Sequence, residues 1–205
     1  KVAHGHVIDL LEKKPDYLWI PSVVSMEREE PRINNQLCPY VQTFPYQIKV
    51  ALDPESQGVK LLSPHIRFQD GWKVLMKCMS PLAKELGVSK KQIEKAMKVA
   101  WDVQEEFEEN CRRRGREILD QLGPEDRAVV LISRPYNGCD AGISLDIPGK
   151  VRKLGILTIP LDFLDISEYM SNARFQEKDG MYWKYGQKIL KACKLVRNDP
   201  RLNAI

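Results

Sequence analysis

The sequence lacks a Cys-x-x-Cys pair, and it lacks any apolar run long enough to cross a bilayer as a helix. The opening stretch Lys1-Val2-Ala3-His4-Gly5-His6 has no signal-peptide core. No membrane is therefore expected. Five cysteines, an odd number without framework spacing, exclude a disulfide-stapled secreted scaffold and favour a reducing, cytoplasmic compartment. Gly-x-Gly-x-x-Gly, a Walker loop, Gly-x-Ser-x-Gly and His-Glu-x-x-His are all missing, as are internal repeats and low-complexity segments. Charge is nearly balanced, 32 Lys and Arg against 28 Asp and Glu for a net +4, so no nucleic-acid partner is implied. The dense basic run Arg112-Arg113-Arg114-Gly115-Arg116 follows Glu105, Glu106, Glu108 and Glu109. Glu108 with Arg112 and Glu109 with Arg113 are i,i+4 pairs, which makes this a solvated, self-paired helix face.

What is present is enough for one substantial core or two small ones, since 43% of the 205 residues are hydrophobic. The apolar period predicts a helix over 3–14, with Ala3, Val7, Leu10 and Leu11 on one face and Pro15 as its stop. A strand over 17–20 follows. The stretch 21–44 then reads as one loop, far longer than the usual connection of about 4–6 residues. Pro45 can open a helix over 46–52 that Asp53-Pro54 closes; 59–62 reads as a strand and 72–86 as a helix stopped by Gly87. Ser89-Lys90-Lys91-Gln92 is a capping box. It starts a long helix with the stripe Ile93, Met97, Ala100, Gln104, Phe107, Cys111 and Ile118, ended by Gly123-Pro124. At 1.5 Å per residue that rod is roughly 45–50 Å long. Beyond it, strands over 128–133 and 156–160 alternate with helices over 147–154 and 183–197, and Leu202 opens a third strand. The expected fold class is α/β: two parallel-sheet, Rossmann- or flavodoxin-like lobes over 1–88 and 124–205, with a long bridging helix over 89–123. The absence of an initiating Met and the strand-like final residues predict a piece of a longer protein.

Cys38 is the residue whose surroundings least suit a structural role. It lies in Asn34-Asn35-Gln36-Leu37-Cys38-Pro39-Tyr40-Val41-Gln42, after an acidic, Pro-punctuated loop and before a proline that can open a helix. A thiol so placed is available for use. Standing alone, it is a nucleophile, an incidental thiol, or one member of a ligand set completed elsewhere. Cys78, Cys111 and Cys193 sit in helical patterns as core fillers. Cys139, in Asn137-Gly138-Cys139-Asp140, reads either as a further ligand or as part of an ordinary turn. His4 and His6, two apart on a helix, point to different faces and are surface or cap residues. Ligands of open parallel sheets sit beyond the carboxyl ends of the strands. After the strand 128–133 that position carries Arg134, a fork of donors for carboxylate or phosphate, with Tyr136 and Asn137 as orienting groups. These three are the expected substrate-binding residues. The other reading is a polar turn in which Arg134 pairs with Asp140 or Asp162.

Six blocks in register carry a family resemblance: Lys1 to His6; Ile20-Pro21-Ser22 with Glu27 to Pro31; Cys38 to Gln42; Arg134 to Asn137; Leu145-Asp146-Ile147-Pro148; and Met181 to Gln187. Together they resemble the activase-linked relatives of 2-hydroxyglutaryl-CoA dehydratase. The resemblance implies an iron-sulfur protein of anaerobic metabolism, with a 4Fe-4S cluster the expected kind. In the family a Cys-Phe/Tyr-Pro stretch precedes the segment matching Lys1, and an Asn-Phe-Ser-Cys-Gly-Pro stretch follows the one matching Ile205. With Cys38 these look like three protein ligands of a cluster, and the match at Cys139 is not a cysteine in relatives. The implied partner is an ATP-hydrolysing, actin-like-fold activase, as a domain or a subunit, and the implied substrate class is a CoA thioester. On this reading the chain is the cluster-binding portion of an activator of 2-hydroxyglutaryl-CoA dehydratase, or of a dehydratase-like or reductase-like protein, in ATP-coupled low-potential electron transfer, and is inactive alone. The alternative is a scaffolding or regulatory lobe that docks the activase and does no chemistry.

Overall fold

The computed structural model describes residues 2–27, 34–167, 169 and 181–205. Two units form, Lys1–Met97 with Tyr182–Lys184, and Lys98–Met181 with Tyr185–Ile205.

In the first unit, α1 (Val2–Glu12) buries Val7 and Leu11, the i,i+4 pair that seats it, whereas Ala3 and Leu10 of the predicted face are exposed. Two extended segments separated by Pro21, β1 (Tyr17–Trp19) and β2 (Ser22–Ser25), run parallel to β3 (Lys60–Leu62) and β4 (His65–Arg67), with Tyr17 opposite Lys60 and Ser22 opposite His65. Proline cannot donate to a ladder. The pairing is nevertheless continuous, because Ile20 N–H donates to the Leu62 carbonyl at 2.9 Å and Ser22 N–H to the Pro64 carbonyl at 2.9 Å. Helices α2 (Pro39–Leu52) and α3 (Trp72–Glu85) complete the unit. Val7, Leu11, Leu18, Ile48 and Val59 form its core.

The predicted loop over 21–44 is therefore not structureless. It contains β2 and the first turn of α2, and Pro39 rather than Pro45 fills the first helical position. Ser22-Val23-Val24-Ser25 is too short an apolar run to announce a strand, and Pro45 drew the expected helix start to itself. Pro45 sits buried inside α2 instead.

A long helix, α4 (Lys90–Gln121), begins at the predicted capping box. Gln92 N–H donates to Ser89 Oγ at 3.2 Å, and Ser89 N–H donates to Gln92 Oε1 at 2.8 Å. Its predicted stripe is buried only in part: Ile93 and Cys111 are buried, but Ala100 and Gln104 are exposed and Phe107 is 61% exposed. The basic run is self-paired as expected, and the predicted Glu108–Arg112 pair forms, but Arg113 turns to Glu117 instead of Glu109, with Arg114 also on Glu117 and Glu109 taken by Arg112 and Arg116.

The second unit has a three-stranded sheet in the order β6-β5-β7, where β5 (Ala128–Leu131) is flanked by β6 (Leu157–Pro160) and β7 (Leu202–Ala204). Both pairings are parallel, as the alternation of strands with helices requires. Helices α5 (Pro135–Cys139), α6 (Ile147–Lys153) and α7 (Lys184–Asn198) join these strands. The core is Ala128, Val130, Ile159, Leu164, Leu195 and Leu202, against which Ile118, Leu119 and Leu122 pack. On α7 the buried residues are Lys191, Ala192 and Leu195, whereas Ile189, Leu190 and Val196 are half-buried and Cys193 is exposed. Arg201 caps the end of α4 by donating to the Leu119 and Leu122 carbonyls at 3.2 and 2.9 Å, while Asp199 holds its guanidinium at 2.8 Å. No helix among the described residues is long and apolar enough to cross a membrane.

Gly115 is the one place where α4 admits no side chain: a Cβ there would overlap the Phe163 carbonyl oxygen. In an exposed helix Gly→Ala gains about 1 kcal/mol. Here Gly115→Ala should instead destabilise the chain by about 1–3 kcal/mol through overpacking, read as a lower urea midpoint; a stabilised variant would show that the approach is loose.

Candidate functional site

Cys38 is the N-cap of α2, with φ −52° and ψ 139°, and its thiol makes no capping hydrogen bond. Ser or Asp would ordinarily satisfy the first-turn amides from this position. The thiol is half-buried. The backbone leading to it is held tightly. Met26 N–H donates to the Asn35 carbonyl at 2.8 Å and Leu37 N–H to the Val24 carbonyl at 3.0 Å, which lays 35–37 against β2. On the other side, Gln36 N–H donates to the Tyr182 carbonyl at 2.8 Å and its carbonyl accepts Lys184 N–H at 3.0 Å. Two of the blocks that carry the resemblance, around Cys38 and around Tyr182-Trp183, are thus neighbours, joined through isolated β-bridges at Gln36. The Tyr182 and Trp183 rings lie 4.4 Å apart. Asn35, 1% exposed, donates its amide to the Glu27 carbonyl. Arg28 to Pro31 of the second block, like Lys1 of the first, lie outside the described residues.

In the second unit, β5 ends at Leu131 and Arg134 is the N-cap of α5 (Pro135–Cys139), a helix absent from the sequence expectation. The Arg134 carbonyl accepts the N–H groups of Asn137 and Gly138 at 2.9 and 3.1 Å. All three expected binding residues therefore follow the carboxyl end of a parallel strand. Arg134 is half-buried, Asn137 is exposed and Tyr136 is 51% exposed. After β6, Asp162 forms an ion pair with Lys188 of α7, both side chains partly buried, while Asp140 accepts Ile143 N–H at 2.8 Å. Burial pushes the Tyr185 phenol above its ordinary range, the Asp162 carboxylate adds to that, and the Arg134 guanidinium opposes it. Tyr185, Asp162, Lys188 and Arg134 are thus brought together at this edge. Tyr185 and Lys188 were not anticipated; their positions i and i+3 on α7 are a signal that becomes readable only once the strand order is known.

Among the other thiols, Cys111 is buried as expected, but Cys78 is only half-buried and Cys193 is exposed, so neither is a core filler. Cys139 is exposed, and its thiol is pushed upward, first by burial of the sulfur and then by Asp162. Burial likewise raises the Cys111 thiol. A thiol held neutral is a poor ligand and a poor nucleophile. His6 is exposed and His4 meets Phe44 edge-on with ring centroids 5.6 Å apart, so the two imidazoles serve as surface groups. Among the described residues no group of three or more His, Cys, Asp and Glu could hold a metal ion. A cleft of about 400 Å³ between α3 and the β3–β4 turn is lined in part by Cys78 and His65, and it does not include Cys38.

A family model described as CoA enzyme activase uncharacterised domain (DUF2229) matches residues 1–164, a span that contains Cys38, Arg134, Tyr136 and Asn137. No curated protein and no solved structure matches the chain.

The Tyr185 environment has a pH signature. The folded state favours the neutral phenol, so the contribution is fully present below the ordinary tyrosine value of 10.0 and is lost as pH rises through the raised folded value. In an ultraviolet titration the Tyr185 phenol should ionise above the ordinary tyrosine value, and Tyr185→Phe should abolish that late step. A titration with no late component would contradict the buried placement.

Proposed function

The chain belongs to the family of the CoA enzyme activase uncharacterised domain, and on that premise we propose that it is the Cys38-bearing part of a CoA-enzyme system in which ATP hydrolysis by an activase drives low-potential electron transfer. The observation that carries the reading is the setting of Cys38: a half-buried thiol at a helix start, free of any capping role, on a backbone held from both sides. One such thiolate fits one position of an iron-sulfur ligand set, and the other positions need thiolates from segments beyond this chain. A bound cluster would supply one-electron chemistry. The protein's own part is to present the thiol at a fixed place, two residues after the Gln36 backbone that pairs with 182–184, in a reducing, cytoplasmic compartment.

Arg134, Tyr136 and Asn137 are proposed to bind the substrate, a CoA thioester, at the edge of the second sheet. Supporting this are their place after the carboxyl end of β5 and the neighbouring Asp162, Lys188 and Tyr185. On this proposal Arg134 is the anion-binding group, with the Asp162–Lys188 pair and the Tyr185 phenol in its neighbourhood.

A second reading, a scaffolding lobe that docks the activase without chemistry, is favoured by the exposure of Tyr40 and Val50 on α2, 78% and 87%. Iron and sulfide analysis of the anaerobically purified intact protein separates the two. Cys38→Ala should strip most of the iron and the visible absorbance and leave the fold intact, whereas Cys139→Ser should leave iron unchanged. Full iron retention in Cys38→Ala would refute the ligand role and favour the docking lobe. Arg134→Ala should weaken substrate binding about tenfold or more, the size of a lost charge-assisted hydrogen bond; unchanged affinity and turnover would remove Arg134 from the site.

A further inference from the structure

Gln42 ends the block that starts at Cys38; two of its groups reach back toward the cysteine, and a third ties it to β2. Its side-chain Nε2 donates to the Leu37 carbonyl at 2.7 Å. Its backbone N–H donates to the Cys38 carbonyl at 3.2 Å, alongside Val41 N–H at 2.9 Å. Its own carbonyl accepts the Ser22 hydroxyl at 2.6 Å, and Ser22 is 2% exposed at the start of β2.

A peptide unit is planar, so a bond to the Leu37 oxygen fixes the plane that carries the Cys38 N–H. The following plane is fixed by the two helical N–H groups on the Cys38 carbonyl. With both planes held, the Cα–Cβ direction of Cys38 is set, and rotation about χ1 is the one freedom left to the sulfur. Because the thiol makes no capping bond, this direction is imposed from outside the residue. We infer that Gln42 is a positioning residue: its side-chain amide locks the Leu37–Cys38 peptide against the sheet and thereby aims the Cys38 thiol. The residue type is demanding. Asn is one methylene too short to span from the first turn to the Leu37 oxygen, and Glu offers that oxygen no donor. The role toward a cluster rests on the ligand reading of Cys38; the aiming of the thiol does not.

Two measurements test it. In the metal-free chain, iodoacetamide labelling followed by mass spectrometry gives a rate for each cysteine. Gln42→Met should accelerate Cys38 at least about threefold, the effect of losing one hydrogen bond, since a released backbone lets the half-buried sulfur reach solvent. Half-buried Cys78 in the same unit and buried Cys111 should keep their rates. An unchanged Cys38 rate, or equal acceleration of Cys38 and Cys78, would overturn the inference, the latter by showing that Gln42 only supports the fold. Gln42→Asn, a milder change, should give the same Cys38-selective acceleration. In the intact protein, Gln42→Met should keep most of the iron but alter the electron paramagnetic resonance of the reduced state, and an unaltered spectrum would count against any role toward a cluster. If Cys38→Ala retains its iron, the ligand reading fails while the labelling result still decides for or against Gln42.

Discussion

The peptide of Gln36 is the join on which the Cys38 region depends. Both of its backbone polar groups are taken by the 182–184 segment, through Tyr182 O and Lys184 N, while its neighbours Asn35 and Leu37 bond to Met26 and Val24 at the end of β2. One short stretch of chain therefore pairs on both edges. Buried backbone groups must find partners, and here they find them in segments about 150 residues apart in sequence. The consequence is local rigidity three residues before a helix start, and that rigidity reaches Cys38 through Leu37.

How much of this was legible in the sequence follows from the range of the forces involved. Signals that act within one turn were readable, since the Ser89–Gln92 box forms both of its reciprocal bonds and Gly87 follows α3 at φ 65°, and so was the alternation of elements that makes the strands of the second unit run parallel. Signals that depend on what packs elsewhere were not. The period of α4 is genuine, yet Phe107 stays exposed because periodicity marks a face without saying whether anything covers it. Likewise Pro45 resembles a helix start by local chemistry, but Pro39 holds that place, and burial of Pro45 offsets the donor that it lacks.

The candidate site divides in the same way. That Cys38 is unusual was readable from Pro39 and from the polar residues before it. Arg134, Tyr136 and Asn137 were readable from the strand they follow. What surrounds each was not: Tyr185 and Lys188 reach the edge of the second sheet from a helix far along the chain, and Gln42 gains its meaning only when the Leu37 carbonyl is seen in front of it.

A thiolate that serves as one of several ligands is under a stricter demand than a nucleophile. A nucleophile can find its target by moving. A ligand must be where the others already are, and each rotatable bond left free adds an entropic cost at the moment the set assembles. On the proposed ligand role, fixing both peptide planes of Cys38 removes that cost before assembly, one plane through the Gln42 side-chain amide on the Leu37 carbonyl and the other through the Val41 and Gln42 N–H groups on the Cys38 carbonyl. The same economy explains why a cysteine without a capping bond occupies an N-cap. A Ser there would turn its oxygen inward to the first-turn amides, whereas a thiol, a weaker acceptor, is left to whatever approaches from outside.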